Sequence, residues 1–264
     1  MEFSTEETQE TALRRLRSAD TVIMSPELFE RLYLQPISSV KGDLRKTFGN
    51  PTPLGLIGFC VTLTPLACSL MGWRGSGGLG AGNIGVYYFL GGPCLVISGI
   101  LEFFLGNSFP FLVFTTYGCV ILAFAATLHP FYNSASVYSP DGNFAEGLRE
   151  PGFTATFAFF PITLACLNAI FMICATKINL VFLSVFAGAS LGFTLLAATL
   201  WTLSKGAVET SARLLVGTGA VLFGTAMLGW YLLILQLLGI MGFKINLPVG
   251  DLSQGWTSIK DCKA

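Results

Sequence analysis

The chain has 264 residues, of which 53% are hydrophobic and 11% are charged, with 15 basic against 15 acidic side chains. An average soluble domain carries roughly a quarter charged residues, so this composition is too poor in charge for a water-covered surface. The neutral balance and the scattered basic residues exclude the basic face that binds nucleic acid. One histidine and seven cysteines, none of them in a CxxC pair, give no pattern for a metal or cofactor site.

The first 49 residues are polar and mixed in charge, and the apolar core of a cleavable signal peptide does not follow the start. Residues 26–33 have the pattern of a short amphipathic helix. The rest of residues 1–49 is predicted to be a disordered cytosolic tail.

Six apolar runs follow the tail, each long enough to cross a hydrocarbon core about 30 Å thick as an α-helix. Because backbone groups in lipid must bond within their own segment, helices are the expected structure. The predicted fold is an all-α polytopic membrane protein, with a transmembrane domain over residues 50–241 and a cytosolic tail over residues 242–264. The runs lie near residues 53–73, 83–105, 109–132, 153–175, 178–203 and 212–240.

Lysine and arginine are distributed unequally between the two sides of the membrane. Eleven lie in the two tails and the loop after the fourth run, and four lie on the other side. Cytoplasmic segments carry the excess of positive charge, so both termini are predicted to be cytosolic.

Glycine is abundant, with 30 residues. Residues 75–80 and 80–85 both match GxGxxG, but neither follows a strand, so a loop is expected there rather than a dinucleotide site. Within the fifth run, Gly188 and Gly192 form a GxxxG pair. Small residues let helices approach closely in lipid, and this pair fits either packing within the bundle or contacts between subunits.

The motif at residues 50–56 begins the first run. Asn50 is a favourable helix cap and Pro51 suits the first helical position, where a backbone N–H is not needed. The free N–H groups and the dipole of that turn favour a nearby anion, although an ordinary cap at the membrane interface explains the same residues.

Glu102 is the acidic residue placed well inside an apolar run. An ionisable group at such depth faces a bundle interior or a water-filled path. It therefore serves proton coupling or lines a polar pore wall, or else it makes a structural hydrogen bond close to Asn107. In the same run, Gly91, Gly92 and Pro93 predict a kink.

The apolar runs contain no Ser-His-Asp set, no close carboxylate pair and no HExxH motif. We therefore predict a carrier or channel with no catalytic residues, rather than an enzyme.

The run Gly-Asn-Pro-Thr-Pro-Leu-Gly-Leu at residues 49–56 resembles the NPxPLGL signature of the acetate uptake transporter family. That family comprises six-helix acetate and succinate permeases of fungi and bacteria. A second block at residues 88–92, 99–102, 106–109 and 114–118 follows the family's order and spacing. The chain is identified on these motifs as a family member of fungal type, over residues 49–240.

The resemblance implies roles for individual residues. Phe59 and Tyr117 match two members of an apolar constriction, and the third, a leucine in the fifth helix, is replaced by Ala189. The narrowing is then looser, or Leu191 supplies it. The pore mouth would be formed by Asn50, Pro51, Pro53, Leu54, Gly55 and Leu56, and polar positions near the path by Glu102, Asn107, Thr115 and Thr116.

A second departure follows Tyr117. The family has an aromatic pair shortly after it, whereas this chain has Val120 and Ile121. The resemblance implies a homohexamer in which each protomer has its own pore.

The function that follows is a multi-pass plasma-membrane transporter or channel for small monocarboxylates, coupled to protons with Glu102 as the candidate. Three alternatives stay open. They are a membrane sensor or scaffold without transport, export of acetate, and passage of another small solute.

Overall fold

The computed structural model describes residues 48–243, 248–250 and 252. The predicted tails therefore lie almost entirely outside the described residues. Residues 48–243 form helices and contain no β-strand, which confirms the predicted all-α class. The connection over residues 129–150 includes three short helical segments, Pro130–Tyr132, Ser136–Tyr138 and Phe144–Gly147. Among the described residues, six helices are long and apolar enough to cross a membrane: α1 (Thr52–Leu70), α2 (Gly78–Phe104), α3 (Ser108–Leu128), α4 (Pro151–Ala175), α5 (Leu180–Ser204) and α6 (Val208–Ile240).

Several helix ends follow from local sequence chemistry. The Asn50 side chain caps α1, since its Oδ1 accepts a hydrogen bond from the Thr52 backbone N–H at 2.9 Å. The third apolar run was predicted to reach residue 132, but α3 ends at Leu128. His129 takes an extended conformation because Pro130 disfavours the helical region for the residue before it.

The turn between α2 and α3 is a Schellman motif centred on Gly106. Gly106 has φ +78°, and its N–H donates to the carbonyl of Phe103 at 3.0 Å. The N–H of Asn107 donates to the carbonyl of Glu102 at 2.9 Å. This turn therefore brings Asn107 next to Glu102 by local geometry.

Two of the helices are irregular. In α2, a π-helical segment Tyr87–Gly91 precedes the α-helical part Gly92–Phe104, at the place where glycine and Pro93 predicted a kink. In α4, the segments Pro151–Phe157 and Phe159–Ala175 meet at Ala158, just before Pro161. A proline lacks the N–H for its helical bond, so each helix adjusts its pattern near the ring.

The six helices form a closed ring in chain order. Except for α3 and α4, neighbours in sequence have closely packed backbones, and α6 returns to pack against α1. Side chains join α3 to α4, including Phe109 against Phe171 with ring centroids 5.8 Å apart. The outer surface is apolar, with Phe89 86% exposed, as expected for a face against lipid.

Glycines set the closest approaches between helices. A Cβ on Gly192 would lie 2.5 Å from the Leu222 side chain of α6, and Gly188 likewise faces Thr225. The GxxxG pair of α5 therefore serves packing within the protomer. Gly217 and Gly224 of α6 have open space around them.

The described C-terminal residues are attached to the bundle. The Tyr231 hydroxyl donates to the Pro248 carbonyl at 2.6 Å, and the Leu180 N–H donates to the Gly250 carbonyl at 2.7 Å. This segment therefore lies at the end of the ring where α1 and α5 begin.

Gly99→Ala is predicted to destabilise the fold. A Cβ there would lie 2.8 Å from the Thr115 backbone N and 3.1 Å from the Phe111 carbonyl, so the backbones of α2 and α3 must separate. Overpacking of this kind costs about 1–3 kcal/mol. The measurement is the unfolding midpoint of the detergent-solubilised protein, with Gly85→Ala, in open space on the same helix, as the control. Equal midpoints for the two variants would contradict the close α2–α3 packing.

Candidate solute pathway

Two cavities lie inside the ring of helices. The distal cavity, of about 90 Å³, is lined by residues of all six helices, including Leu70 at the end of α1 and Phe157 near the start of α4. The proximal cavity, of about 40 Å³, is lined by Leu56 near the start of α1 and by Leu232 of α6. The cavities thus occupy opposite halves of the ring along its axis.

Phe59, Tyr117 and Ala189 line both cavities. They come from α1, α3 and α5, and a residue that lines both chambers lies at the boundary between them. The structure therefore brings together the three residues predicted for the constriction. They form the boundary that a solute passing from one cavity to the other has to cross.

The ring of Phe59 is held in place by a glycine. A Cβ on Gly229 of α6 would lie 2.6 Å from the Phe59 ring, so glycine at this point lets the ring approach α6. The position of Phe59 therefore depends on Gly229 having no side chain. The width of the boundary depends on it in turn.

Tyr117 is held by a residue that the sequence analysis missed. Its hydroxyl donates to Oδ1 of Asn168 in α4, and Asn168 Nδ2 donates to the Leu164 carbonyl at 2.7 Å. Asn168 is fully buried. An amide is suited to this position because it accepts with one atom and donates with the other. A lone asparagine inside an apolar run was the available signal, since such residues mark interhelical bonds.

Leu191 does not take part in the boundary, which corrects the alternative drawn from the sequence. It is 52% exposed and lines neither cavity, whereas Ala189 is buried. Successive residues turn by about 100° around a helix, so two positions along α5 place the side chain on the opposite face. The residue of α5 that lines both cavities is therefore Ala189, with its small side chain.

Glu102 is fully buried and lines neither cavity. Its Oε1 accepts a hydrogen bond from the Thr52 hydroxyl, and its Oε2 accepts one from Asn107 Nδ2. The carboxyl group thus links the start of α1, the end of α2 and the start of α3. The structure shows the structural bond near Asn107, and a role of Glu102 in proton coupling stays a prediction.

Thr115 and Thr116 also lie outside both cavities. Thr115 packs against Gly99 in the interface between α2 and α3. None of the four polar residues predicted near the path therefore lines either cavity.

The motif at residues 50–56 fixes the start of α1 to its neighbours. Asn50 Nδ2 donates to Gln236 Oε1 of α6 at 3.3 Å, and the Pro51 carbonyl accepts from the Ser98 hydroxyl of α2 at 2.8 Å. A Cβ on Gly55 would lie 2.8 Å from Ser98, so glycine permits this approach. Leu56 lines the proximal cavity, whereas Asn50, Pro51, Pro53, Leu54 and Gly55 line neither cavity.

Six membrane-spanning helices around an interrupted axial cavity define a multi-pass membrane protein with a channel-like interior. Residues 34–254 match the family model described as the GPR1/FUN34/yaaH family, and the chain belongs to this family. The chain is 45% identical over 249 residues to the protein alcS of Aspergillus fumigatus, covering 94% of this chain and 92% of that one.

Two further similarities extend this assignment. The acetate transporter protein patA of Aspergillus clavatus is 28% identical over 212 residues, covering 80% of this chain and 82% of that one. A solved structure described as the bacterial acetate channel SatP superposes with a TM-score of 0.61 at 22% identity, covering 77% of this chain and 99% of that chain. This structure has the same fold.

Asn168→Leu is predicted to destabilise the protein because it leaves the buried Tyr117 hydroxyl without its acceptor, at a cost of about 1–3 kcal/mol. Adding Tyr117→Phe removes the donor as well, so the double variant should regain much of that loss. Unfolding midpoints of the wild type, both single variants and the double variant give the coupling. Strictly additive losses would show that the two side chains do not interact.

Proposed function

We propose that the protein is a plasma-membrane transporter or channel for small acetate-like monocarboxylates, coupled to protons. The observation that carries this proposal is the boundary of Phe59, Tyr117 and Ala189 between two axial cavities. The names of the similar patA protein and of the SatP structure support the substrate class. Both termini are proposed to be cytosolic, on the distribution of lysine and arginine.

The size of the distal cavity agrees with such a cargo. A cavity needs roughly 10–15 Å³ to hold one water molecule. About 90 Å³ therefore has room for a solute of several heavy atoms, such as a two- to four-carbon acid. The apolar lining suits the alkyl part of the acid, and the narrow boundary excludes larger solutes.

The proposed assembly is a homohexamer in which each protomer has its own pathway. It is supported by Gly217 and Gly224, which lie seven residues apart on one face of α6 with open space around them. Native mass spectrometry of the detergent-solubilised protein gives the number of subunits, and a purely monomeric spectrum would contradict the assembly.

The direct test is uptake of radiolabelled formate, acetate, propionate and succinate into proteoliposomes at acidic pH, with protein-free liposomes as the blank. Saturable, protein-dependent uptake of at least one of these acids is expected. If no acid enters faster than into the blank, the proposal fails.

Ala189→Leu is predicted to change selectivity. The added side-chain atoms project into the boundary shared by the two cavities, where they reduce the space for a longer alkyl chain. Because one methylene in a tight apolar site changes discrimination by about tenfold or more, butyrate flux should fall at least that much relative to acetate flux. Competition between the two labelled acids measures the ratio. A ratio equal to that of the wild type would place the limiting width elsewhere.

A membrane sensor or scaffold is the second candidate. Val120 and Ile121 line the distal cavity where the family resemblance leads one to expect an aromatic pair, and this departure favours a changed role. Export of acetate, or passage of another small solute, would use the same cavities.

Gly229→Ala separates transport from sensing. The new methyl group pushes the Phe59 ring towards the cavities. Flux should fall about tenfold, because overpacking that raises the barrier at the boundary by roughly 1.4 kcal/mol slows crossing by that factor. Gly239→Ala, at a position of the same helix with open space around the glycine, is the matched control and should keep wild-type flux. A sensor would show no protein-dependent flux in either variant.

A further inference from the structure

We propose that the cargo crosses this protein as an uncharged molecule, so that the coupled proton travels on the cargo's own carboxyl group. This inference rests on the proposed function and names the chemical form in which the acid passes. It assigns no proton-carrying role to a side chain of the protein.

The surface presented by the two cavities is apolar. Three side chains with hydroxyl groups line the distal cavity, and each directs its oxygen elsewhere. The Tyr87 hydroxyl donates to the Gly80 carbonyl at 3.2 Å, the Tyr117 hydroxyl donates to Asn168, and the Thr62 oxygen packs against Gly91. The other lining residues are aliphatic, phenylalanine or proline. A cargo in this cavity therefore meets hydrocarbon on every side.

The boundary between the cavities has the same character. It consists of the Phe59 ring, the Tyr117 ring and the Ala189 methyl group. An ionised carboxylate loses its water at such a place and gains no donor or cation in return, which is far more costly than moving a neutral acid. The protonated acid has no net charge and keeps its alkyl part in a favourable environment.

The buried carboxyl group of the protein is off this route. Glu102 lines neither cavity. Its two oxygens accept hydrogen bonds from Thr52 and Asn107 at the end of the ring where α1 begins. Protonation of Glu102 would disturb these bonds between helices without placing a proton beside the cargo. Adding the proton to the cargo in the aqueous phase balances charge with one proton per acid, and the proton dissociates again on the other side.

The experiment compares acetate with acetamide, a neutral molecule of nearly the same size and shape. Wild-type proteoliposomes are held at equal internal and external pH, at pH 5 and at pH 7, with the membrane potential set by potassium and valinomycin. Above its pKa, a carboxyl group loses tenfold of its protonated form with each pH unit, so protein-dependent acetate flux should fall by about a hundredfold. Acetamide flux should be equal at both pH values, and neither flux should respond to the potential.

Acetate flux at pH 7 that stays within a few-fold of the pH 5 value and is accelerated by an inside-positive potential would overturn the inference. It would leave the proposed function standing, because the anion would then be the cargo. Protein-dependent flux of acetamide alone would uphold the uncharged cargo and overturn the monocarboxylate function. If neither solute moves faster than through protein-free liposomes, both proposals fail.

Glu102→Gln tests the competing site for the proton. The variant has no titratable proton at this position, so a change in the slope of acetate flux with pH would assign the proton to Glu102 and overturn the inference. An unchanged slope supports the cargo as the carrier. Because this substitution also alters a structural hydrogen bond, the acetamide flux of the variant serves as the measure of intact protein.

Discussion

Both oxygens of the Glu102 carboxyl group accept hydrogen bonds, and these bonds fix the relative positions of the helices on which the pathway depends. The carboxyl group binds Thr52 at the start of α1 and Asn107 before the start of α3. Phe59 lies seven residues beyond Thr52, and Tyr117 lies ten residues beyond Asn107, which are distances of about 10 and 15 Å along the two helices. One buried carboxyl group thus sets the axial positions of two of the three boundary residues relative to each other.

Such a group is costly inside a membrane unless its lone pairs are satisfied. The Schellman turn at Gly106 delivers Asn107 to it, and the capped first turn of α1 delivers Thr52 together with the positive end of the helix dipole. The signature at residues 50–56 can be understood in these terms. Most of its residues hold α1 in register with α2 and α6, and Leu56 contributes to the cavity surface.

The six crossings could be predicted from hydropathy because length and polarity alone decide whether a helix spans lipid. Which side of each helix faces the pathway could not be predicted, because helices that are apolar on all sides carry no periodic signal. That is why Leu191 was wrongly offered as a boundary residue and why Thr115 was expected nearer the path. Phe59 and Tyr117 were found through motif resemblance. Asn168 is a lone amide in an apolar run and was missed, because its partner across the α3–α4 contact is a property of the folded bundle.

The apolar boundary at Phe59, Tyr117 and Ala189 has an electrical consequence. Protons move rapidly through membranes along continuous chains of water, and ions cross only where water or polar groups replace their hydration shell. An apolar narrowing breaks any such chain by dewetting. For the proposed uncharged cargo, the protons that cross are therefore those bound to the acid, one per molecule, and free ions find no route through the boundary.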